Sequence, residues 1–260
     1  MKIIIDTDLG TDNVTSVSAS SEDASFPASN MLNDFTTDVW KANGLNEAII
    51  TVLVSKGSAI EILNTNALTA EIVIGTGGDY EAESGYSLET GYELETSYDP
   101  ISIVQNLPGS KGRLWADYQE FSTPHIIRVT LTAEVGETVY AGILRAGNVE
   151  TFNDPLYSPK EFSTDFSIEK ELNNGADYFR VRNIVRSFPA LSIIETRENA
   201  FKFKLDIFDQ IGPKPLAIRL AHKKITDKEF VLFAKRISPP EVEYISSTLA
   251  KINFNLREVI

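Results

Sequence analysis

Apolar and polar residues alternate with a period of two along several stretches of the chain. In AFKFKLDIF, the apolar residues that alternate with charged ones are Phe201, Phe203, Leu205 and Ile207. The closing stretch KINFNLREV repeats this alternation. Such a pattern is typical of antiparallel strands with one buried face and one solvated face. Both stretches are therefore predicted to be β-strands.

Short segments rich in β-branched residues account for much of the remaining pattern. Clusters of Gly, Asn, Ser or Thr separate these segments, which cover residues 49–54, 59–63, 70–74, 125–131 and 139–144. This punctuation is typical of strands joined by turns. Helical patterns are scarce, and the candidates for short helices are residues 29–34 with Ser29 as cap, 163–172 and 240–249. The chain is therefore predicted to be all-β.

The amino-terminal stretch MKIIIDTDLGTDN places three aspartates around a glycine directly after an apolar run. It resembles the IDTDxGxDD loop that opens the nucleoside hydrolases and holds a calcium ion, and Asp6, Asp8 and Asp12 match that loop. The enzymes need a helix after it, whereas VTSVSASSEDASF follows here. A strand and an acidic turn are therefore favoured. Asp6, Asp8 and Asp12 stay as candidate ligands of a structural calcium ion, and a calcium-dependent hydrolase is the third functional option.

Residues 17–40, VSASSEDASFPASNMLNDFTTDVW, carry a second resemblance. They are similar to the entry of galactose-binding-like (discoidin-like) jelly rolls, and the matching residues are Ala28, Asn30, Asp34, Thr37 and Trp40. The resemblance implies a jelly-roll β-sandwich over residues 1–150, followed by a smaller antiparallel β-domain. No cluster of Arg, His and aromatic residues marks a sugar pocket, so the resemblance implies the fold more strongly than lectin activity.

The segment AGILRAG with its Phe- and Pro-rich exit, and the closing INFNLREVI, are similar to structural proteins of bacteriophage tails. This resemblance implies a non-enzymatic virion protein of the tail tip, made in the host cytoplasm without a signal peptide. Its copies would form a ring that links the tail tube to the baseplate or receptor-binding parts, and its partners would be other tail proteins. The alternative is a carbohydrate-binding, lectin-like module whose partner is a cell-surface glycan.

Charge is unevenly distributed along the chain. Residues 1–150 hold 7 Lys and Arg against 22 Asp and Glu, a net charge of −15, whereas residues 151–260 hold 17 against 15, a net of +2. This asymmetry indicates two units, with a connector at 151–176 and an assembly domain at 177–260. The acidic half argues against nucleic-acid binding. Acidic and basic faces of neighbouring copies could pair in a head-to-tail ring, although ordinary solvated faces explain the charges equally well.

A six-residue repeat stands out within an excursion at residues 79–99. Tyr80, Tyr86, Tyr92 and Tyr98 are evenly spaced, so in an extended backbone they share one face with Leu88 and Leu94. Tyrosine suits half-buried protein interfaces, and these six residues are the predicted partner-binding stripe. The other interpretation is a duplicated surface loop whose tyrosines rest on their own domain.

Catalytic and membrane functions receive no support from the sequence. Cysteine is absent, and the two histidines, His125 and His222, lie near no G-x-S-x-G motif. No apolar run approaches the roughly 20 residues that a membrane-spanning helix needs. The protein is predicted to be non-enzymatic, to need no cofactor and not to insert into membranes.

Overall fold

The computed structural model divides the chain into two compact units. It describes residues 1–259 except 6, 9–10, 36, 76–100, 108–111, 157–159, 166, 172–176, 181–183 and 221–230. The sandwich unit comprises Asp6–Asn33 and Asp38–Asn148, and the terminal unit comprises Met1–Ile5, Asp34–Thr37 and Val149–Ile260. A single boundary at residue 150 therefore misses the first strand, which pairs with residues 217–219 of the terminal unit.

Strands make up most of the regular structure. Numbered in chain order, they are β1 (Lys2–Ile5), β2 (Thr7–Asp8), β3 (Thr11–Asp12), β4 (Val14–Ala19), β5 (Trp40–Lys41), β6 (Glu47–Val54), β7 (Gly57–Thr65), β8 (Thr69–Gly75), β9 (Ile101–Asn106), β10 (Gly112–Phe121), β11 (His125–Thr132), β12 (Tyr140–Ala141), β13 (Ile143–Thr151), β14 (Phe162–Asp165), β15 (Ile168–Glu171), β16 (Asp177–Arg180), β17 (Ile184–Thr196), β18 (Leu216–Arg219), β19 (Val231–Arg236), β20 (Glu241–Tyr244) and β21 (Leu249–Glu258). A 3₁₀ turn spans Ala28–Leu32, and the helix α1 (Arg197–Phe201) continues as a π-helix over Lys202–Asp209.

The sandwich unit is a jelly-roll β-sandwich built from two antiparallel sheets. One sheet has the order β4-β6-β11-β8-β9, and the other contains β10, β7 and β13. Alternate residues of β6 and β11 are buried, and both strands cover segments that the sequence predicts as β-branched strands. The shared core contains Ile50, Val52, Ile72, Ile127 and Val129 from the first sheet and Ile60, Ile62, Leu114 and Leu144 from the second. The predicted fold class is therefore confirmed.

The terminal unit is the smaller antiparallel β-domain. Its sheet runs in the order β1-β18-β19-β21-β17-β14, and β20 pairs with a further stretch of β21. The aromatic rings of Phe152, Phe203, Phe208 and Phe254 pack together in its core, with centroids 4.7 to 6.4 Å apart. The strands β15 and β16 pair with each other as a separate ribbon. The predicted connector at 151–176 thus contains the strands β14 and β15.

The strand predicted over AFKFKLDIF is wrong, because this stretch is helical. Thr196 caps α1, and its hydroxyl oxygen accepts a hydrogen bond from the backbone N–H of Asn199 at 3.2 Å. A strand would bury Phe201 and Phe203 on one face, yet Phe203 is fully buried and Phe201 is 58% exposed. The helical stretch instead buries Phe203, Ile207 and Phe208. Packing of the Phe203 ring against the phenylalanine cluster thus overrides the local alternation.

The three predicted short helices have different outcomes. The turn near Ser29 is confirmed as the 3₁₀ turn, but it begins after Pro27 and has no side-chain cap. The helix predicted at 163–172 is wrong, since β14 and β15 occupy that stretch, and β20 occupies the start of the one predicted at 240–249. Strand pairing with β17, β16 and β21 explains these two differences.

Replacing Phe203 by alanine is expected to lower the free energy of unfolding by about 3–5 kcal/mol, because it leaves a cavity in the phenylalanine cluster. Phe201→Ala should change this free energy by less than about 1 kcal/mol, because the ring is largely in water. Chemical denaturation followed by circular dichroism measures both values. Equal losses for the two variants would contradict the helix and support a strand.

Candidate functional site in the loop at residues 33–38

Of the five residues that carry the jelly-roll resemblance, Ala28 and Trp40 are buried, Asn30 is half-buried, and Asp34 and Thr37 are exposed. Asn30 is half-buried, and its side-chain amide donates a hydrogen bond to the carbonyl oxygen of Val39 at 3.0 Å. Trp40 is fully buried, and its indole N–H donates to the carbonyl oxygen of Ser21 at 3.1 Å. Asp34 and Thr37 lie between these two residues in the chain. Asn30 and Trp40 therefore support the loop between them, and Asp34 and Thr37 are exposed on it.

Arg145 on β13 holds the amino-terminal side of this loop. The guanidinium is almost completely buried and donates to the carbonyl oxygens of Met31 at 3.3 Å, Asn33 at 2.9 Å and Leu144 at 2.7 Å. The carbonyls at the end of a helical turn lack partners within the turn, so a buried cation that donates to them stabilises the end of the 3₁₀ turn. Arg145 also lies opposite the buried Glu61 on β7.

A side-chain hydrogen bond joins the two ends of the loop. The amide of Asn33 donates to the Asp38 carboxylate at 3.0 Å. Together with Arg145, Asn30 and Trp40, this contact fixes both ends of the segment that we call the binding loop, namely residues 33–35, 37 and 38. A loop held in this way presents its side chains without a large ordering cost on binding.

Phe35 is the residue of the binding loop that sequence analysis missed. Its ring is 66% exposed, although a phenylalanine normally contributes to a core. Asp34 directly precedes it and Thr37 follows two positions later, and both are exposed. An exposed ring can stack on an apolar face of a ligand, while neighbouring carboxylate and hydroxyl groups accept and donate hydrogen bonds. The available signal was an aromatic residue inside the polar stretch NDFTTD.

The predicted calcium ligands are only partly described. Asp6 lies outside the described residues, whereas Asp8 and Asp12 belong to the short strands β2 and β3, opposite Thr11 and Thr7. The described part of the chain contains no group of three acidic, histidine or cysteine side chains that could hold a metal ion. The structural calcium ion therefore stays a prediction.

The predicted tyrosine stripe lies outside the described residues. This applies to all six positions, Tyr80, Tyr86, Leu88, Tyr92, Leu94 and Tyr98. Its role as a partner-binding surface stays a prediction. Among the described residues, no helix is long and apolar enough to cross a membrane.

His125 is part of a buried aromatic cluster in the sandwich unit. Its Nδ1 lies 3.1 Å from the carbonyl oxygen of Thr123, and its Nε2 lies 3.0 Å from the Tyr118 hydroxyl. These partners fit a neutral ring whose Nδ1–H donates and whose Nε2 accepts. Phe121 stacks on the ring with a centroid distance of 4.8 Å. Burial lowers the pKa of His125 and raises the pKa of Tyr118, which fits a packed structural pair. His222 lies outside the described residues.

Comparison with known proteins gives structural neighbours only. No protein-family model matches the chain, and no curated protein sequence matches it. Chitosan-binding module 1 from a chitosanase/glucanase of Paenibacillus sp. IK-5 is 16% identical, covering 54% of this chain and 96% of that chain with a TM-score of 0.37. The family 32 CBM from C. perfringens NanJ, in complex with galactose, is 16% identical, covering 58% and 100% with a TM-score of 0.38.

A further neighbour has a protein partner. Reduced XRCC1 bound to the DNA polymerase β catalytic domain is 12% identical, covering 57% of this chain and 99% of that chain with a TM-score of 0.37. Because the partners of these neighbours differ, the similarities do not identify a ligand for this chain.

Replacing Arg145 by methionine is expected to release the binding loop. The carbonyls of Met31 and Asn33 would lose a charged donor, so the free energy of unfolding should fall by about 2–4 kcal/mol. Amide hydrogen exchange at residues 33–35 and 37–38 should become faster. Arg145→Lys, which keeps the charge but cannot reach three carbonyls at once, should give an intermediate result. Unchanged exchange in Arg145→Met would show that the loop is held by other contacts.

The buried imidazole of His125 is expected to make the sandwich unit acid-sensitive. Its pKa is lowered in the folded state. The stabilising contribution is therefore complete above the unfolded value of about 6.5 and is lost as pH falls below it, on the order of 1 kcal/mol per pH unit. Urea denaturation at several pH values measures this slope. His125→Gln cannot titrate, so it should be less stable at neutral pH but lack this slope. His222 is present in both proteins and therefore contributes equally to both measurements. A slope that persists in the variant would assign the acid sensitivity to other groups.

Proposed function

We propose that this protein is a non-catalytic carbohydrate-binding protein and that the binding loop contacts the sugar. The observation that carries this proposal is the 66% exposed ring of Phe35 on a loop that buried side chains hold at both ends. A rigid scaffold that keeps an aromatic ring in water is unfavourable for folding alone. Residues that bind ligands are commonly found on loops that a rigid scaffold positions.

The chemistry of the loop suits a sugar ring. The face of a pyranose carries C–H groups that pack against an aromatic ring, and its hydroxyl groups need hydrogen-bonding partners. Phe35 supplies the aromatic surface, the Asp34 carboxylate accepts hydrogen bonds, and the Thr37 hydroxyl both donates and accepts. A small-ligand site usually consists of an apolar surface with a small number of polar groups around it.

The charge of the chain narrows the class of sugar. Residues 1–150 carry 22 acidic against 7 basic residues, and Asp34 and Asp38 belong to the loop itself. This negative potential disfavours sialylated or sulfated glycans and favours neutral or amino sugars. A neutral galactoside and the cationic polymer chitosan, the ligands in the names of two structural neighbours, are suitable first probes.

Phe35→Ala is expected to weaken glycan binding roughly tenfold or more, because the stacking surface is lost. Binding of the full chain to galactosides and to chitosan oligosaccharides, measured by isothermal titration calorimetry after a glycan-array screen, tests this. Phe162→Ala is the matched control, since Phe162 on β14 is exposed to a similar degree and lies outside the loop. The variant Asp34→Asn should weaken chitosan binding more than galactoside binding. The proposal fails if no glycan binds, or if Phe35→Ala and Phe162→Ala bind equally well.

A second candidate function is that of a structural subunit in a bacteriophage tail, with copies arranged in a ring. The exposed apolar residues Phe201, Tyr244, Ile245 and Leu249 of the terminal unit support a contact with another protein, although they do not identify that protein. Surfaces of this composition commonly mark contacts between proteins. The ring, the virion location and the other tail proteins as partners remain predictions from the sequence.

A further inference from the structure

The terminal unit displays a cluster of apolar side chains around one arginine. Phe201 and Tyr244 are each 58% exposed, and Ile245 and Leu249 are exposed beside them in the chain. Arg197 lies one helical turn before Phe201, so both side chains occupy the same side of α1. We call Arg197, Phe201, Tyr244, Ile245 and Leu249 the aromatic patch. Its composition matches that of protein-binding hot spots, in which aromatic residues and arginine are enriched.

Backbone contacts hold the aromatic patch in place. The turn between β20 and β21 is closed by the hydrogen bond from the N–H of Ile245 to the carbonyl oxygen of Leu249 at 3.1 Å. The N–H of Arg197 donates to the carbonyl oxygen of Thr248 at 3.0 Å, which ties this turn to α1. The Ser246 hydroxyl oxygen also accepts hydrogen bonds from the N–H groups of Thr248 and Leu249. The patch is therefore preorganised for a partner.

The charge at the centre of the patch favours an acidic partner. The Arg197 guanidinium carbon lies 4.3 Å from the centroid of the Tyr244 ring. A guanidinium that stacks on a ring by one face keeps its N–H edge for a carboxylate. Arg197 forms no ion pair with a carboxylate of the described residues. A partner that covers the patch therefore needs both an apolar group and a carboxylate.

The sandwich unit carries a turn with this combination. Residues 134–137 form a tight turn in which the N–H of Glu137 donates to the carbonyl oxygen of Glu134 at 3.0 Å, and Gly136 adopts a positive φ of 93°. Val135 at its tip is 90% exposed, more than any other large hydrophobic residue that the structure describes. Glu134 and Glu137 are exposed on either side of it. A valine held at the tip of a turn has no role in the core of its own unit.

We propose that the Glu134–Glu137 turn of one copy docks on the aromatic patch of a second copy of this chain. Val135 packs against Tyr244 and its apolar neighbours, and a carboxylate of Glu134 or Glu137 pairs with Arg197. The occupant is assigned by charge complementarity, because the exposed carboxylates of Glu134 and Glu137 flank Val135, whereas the Arg197 guanidinium lies over Tyr244 in the patch. The contact joins unlike surfaces, so repetition generates a ring or a filament. This inference is independent of glycan binding.

Multi-angle light scattering over a wide range of protein concentrations tests this contact. The molar mass of the wild-type chain is expected to rise with concentration and to fall again with added salt, which screens the ion pair. Arg197→Glu alone, or Glu134→Arg with Glu137→Arg, should weaken association by at least about tenfold, because like charges then face each other.

Exchanging the charges provides the decisive comparison. In an equimolar mixture of the Arg197→Glu chain and the Glu134→Arg/Glu137→Arg chain, every contact again joins opposite charges, so the mixture should associate although neither variant does alone. One chain that carries all three substitutions should also regain self-association. Restoration of this kind is not expected if the single changes act by unfolding a unit, which circular dichroism checks directly.

Two matched valine variants test the contribution of Val135, at the tip of the turn, to association. Val135→Ser should weaken association, whereas Val104→Ser, which removes a similarly exposed valine from β9, should not. The inference is overturned if the wild-type chain stays monomeric at every concentration. It is also overturned if Arg197→Glu and Val135→Ser leave association unchanged, or if exchanging the charges does not restore association. Glycan binding of Arg197→Glu, measured in parallel, should equal that of the wild type, so failure of this contact is distinguishable from failure of the proposed function.

Discussion

The buried guanidinium of Arg145 is the interaction on which the binding loop depends. A cation removed from water needs acceptors in return, and the carbonyls at the end of the 3₁₀ turn need donors. Arg145 satisfies both requirements, because its N–H groups reach the carbonyl oxygens of Met31 and Asn33. The anchor is itself part of a sheet, because Arg145 lies on β13 and pairs with Glu61 of β7. Without this anchor, Phe35 would have other positions available to it.

β-branched composition located β6, β7, β8 and β11, and alternation located the closing strand β21, because burial on one face of a sheet has the same period as the pleat. In β11, every second residue from His125 to Leu131 is buried, as HIIRVTLT suggests. The same reasoning failed at AFKFKLDIF because two periods share positions: Phe203 and Ile207 are four apart, so a strand and a helix can both bury them. The two structures predict different burial for Phe201, which a strand would bury and the helix leaves exposed. That choice depends on distant rings such as Phe152 and Phe254, which no local pattern contains.

The residues of the candidate site could be predicted from the sequence only where they contact residues nearby in the chain. Asn30 and Trp40 contact residues within about twenty positions in the chain, at Val39 and Ser21, and the jelly-roll resemblance identified both. Arg145 contacts Met31 and Asn33 across more than one hundred residues, so its role depends on the register of β13. The sequence signal for the exposure of Phe35 is its place inside the polar stretch NDFTTD, which identifies no residue that holds the loop.

The role of each aromatic residue in this protein depends on whether its ring is buried or exposed. Phe203 contributes to stability, because its ring exchanges water for the neighbouring phenylalanines. Phe35, Phe201 and Tyr244 are instead more than half exposed, at a cost of about 25 cal/mol per Å² of apolar surface left uncovered. The contacts that keep them there, namely Arg145 at the loop and Thr248 at α1, restrict motion that a partner would otherwise have to restrict. Exposure combined with such restraint is the reason why the two proposed contacts involve these rings.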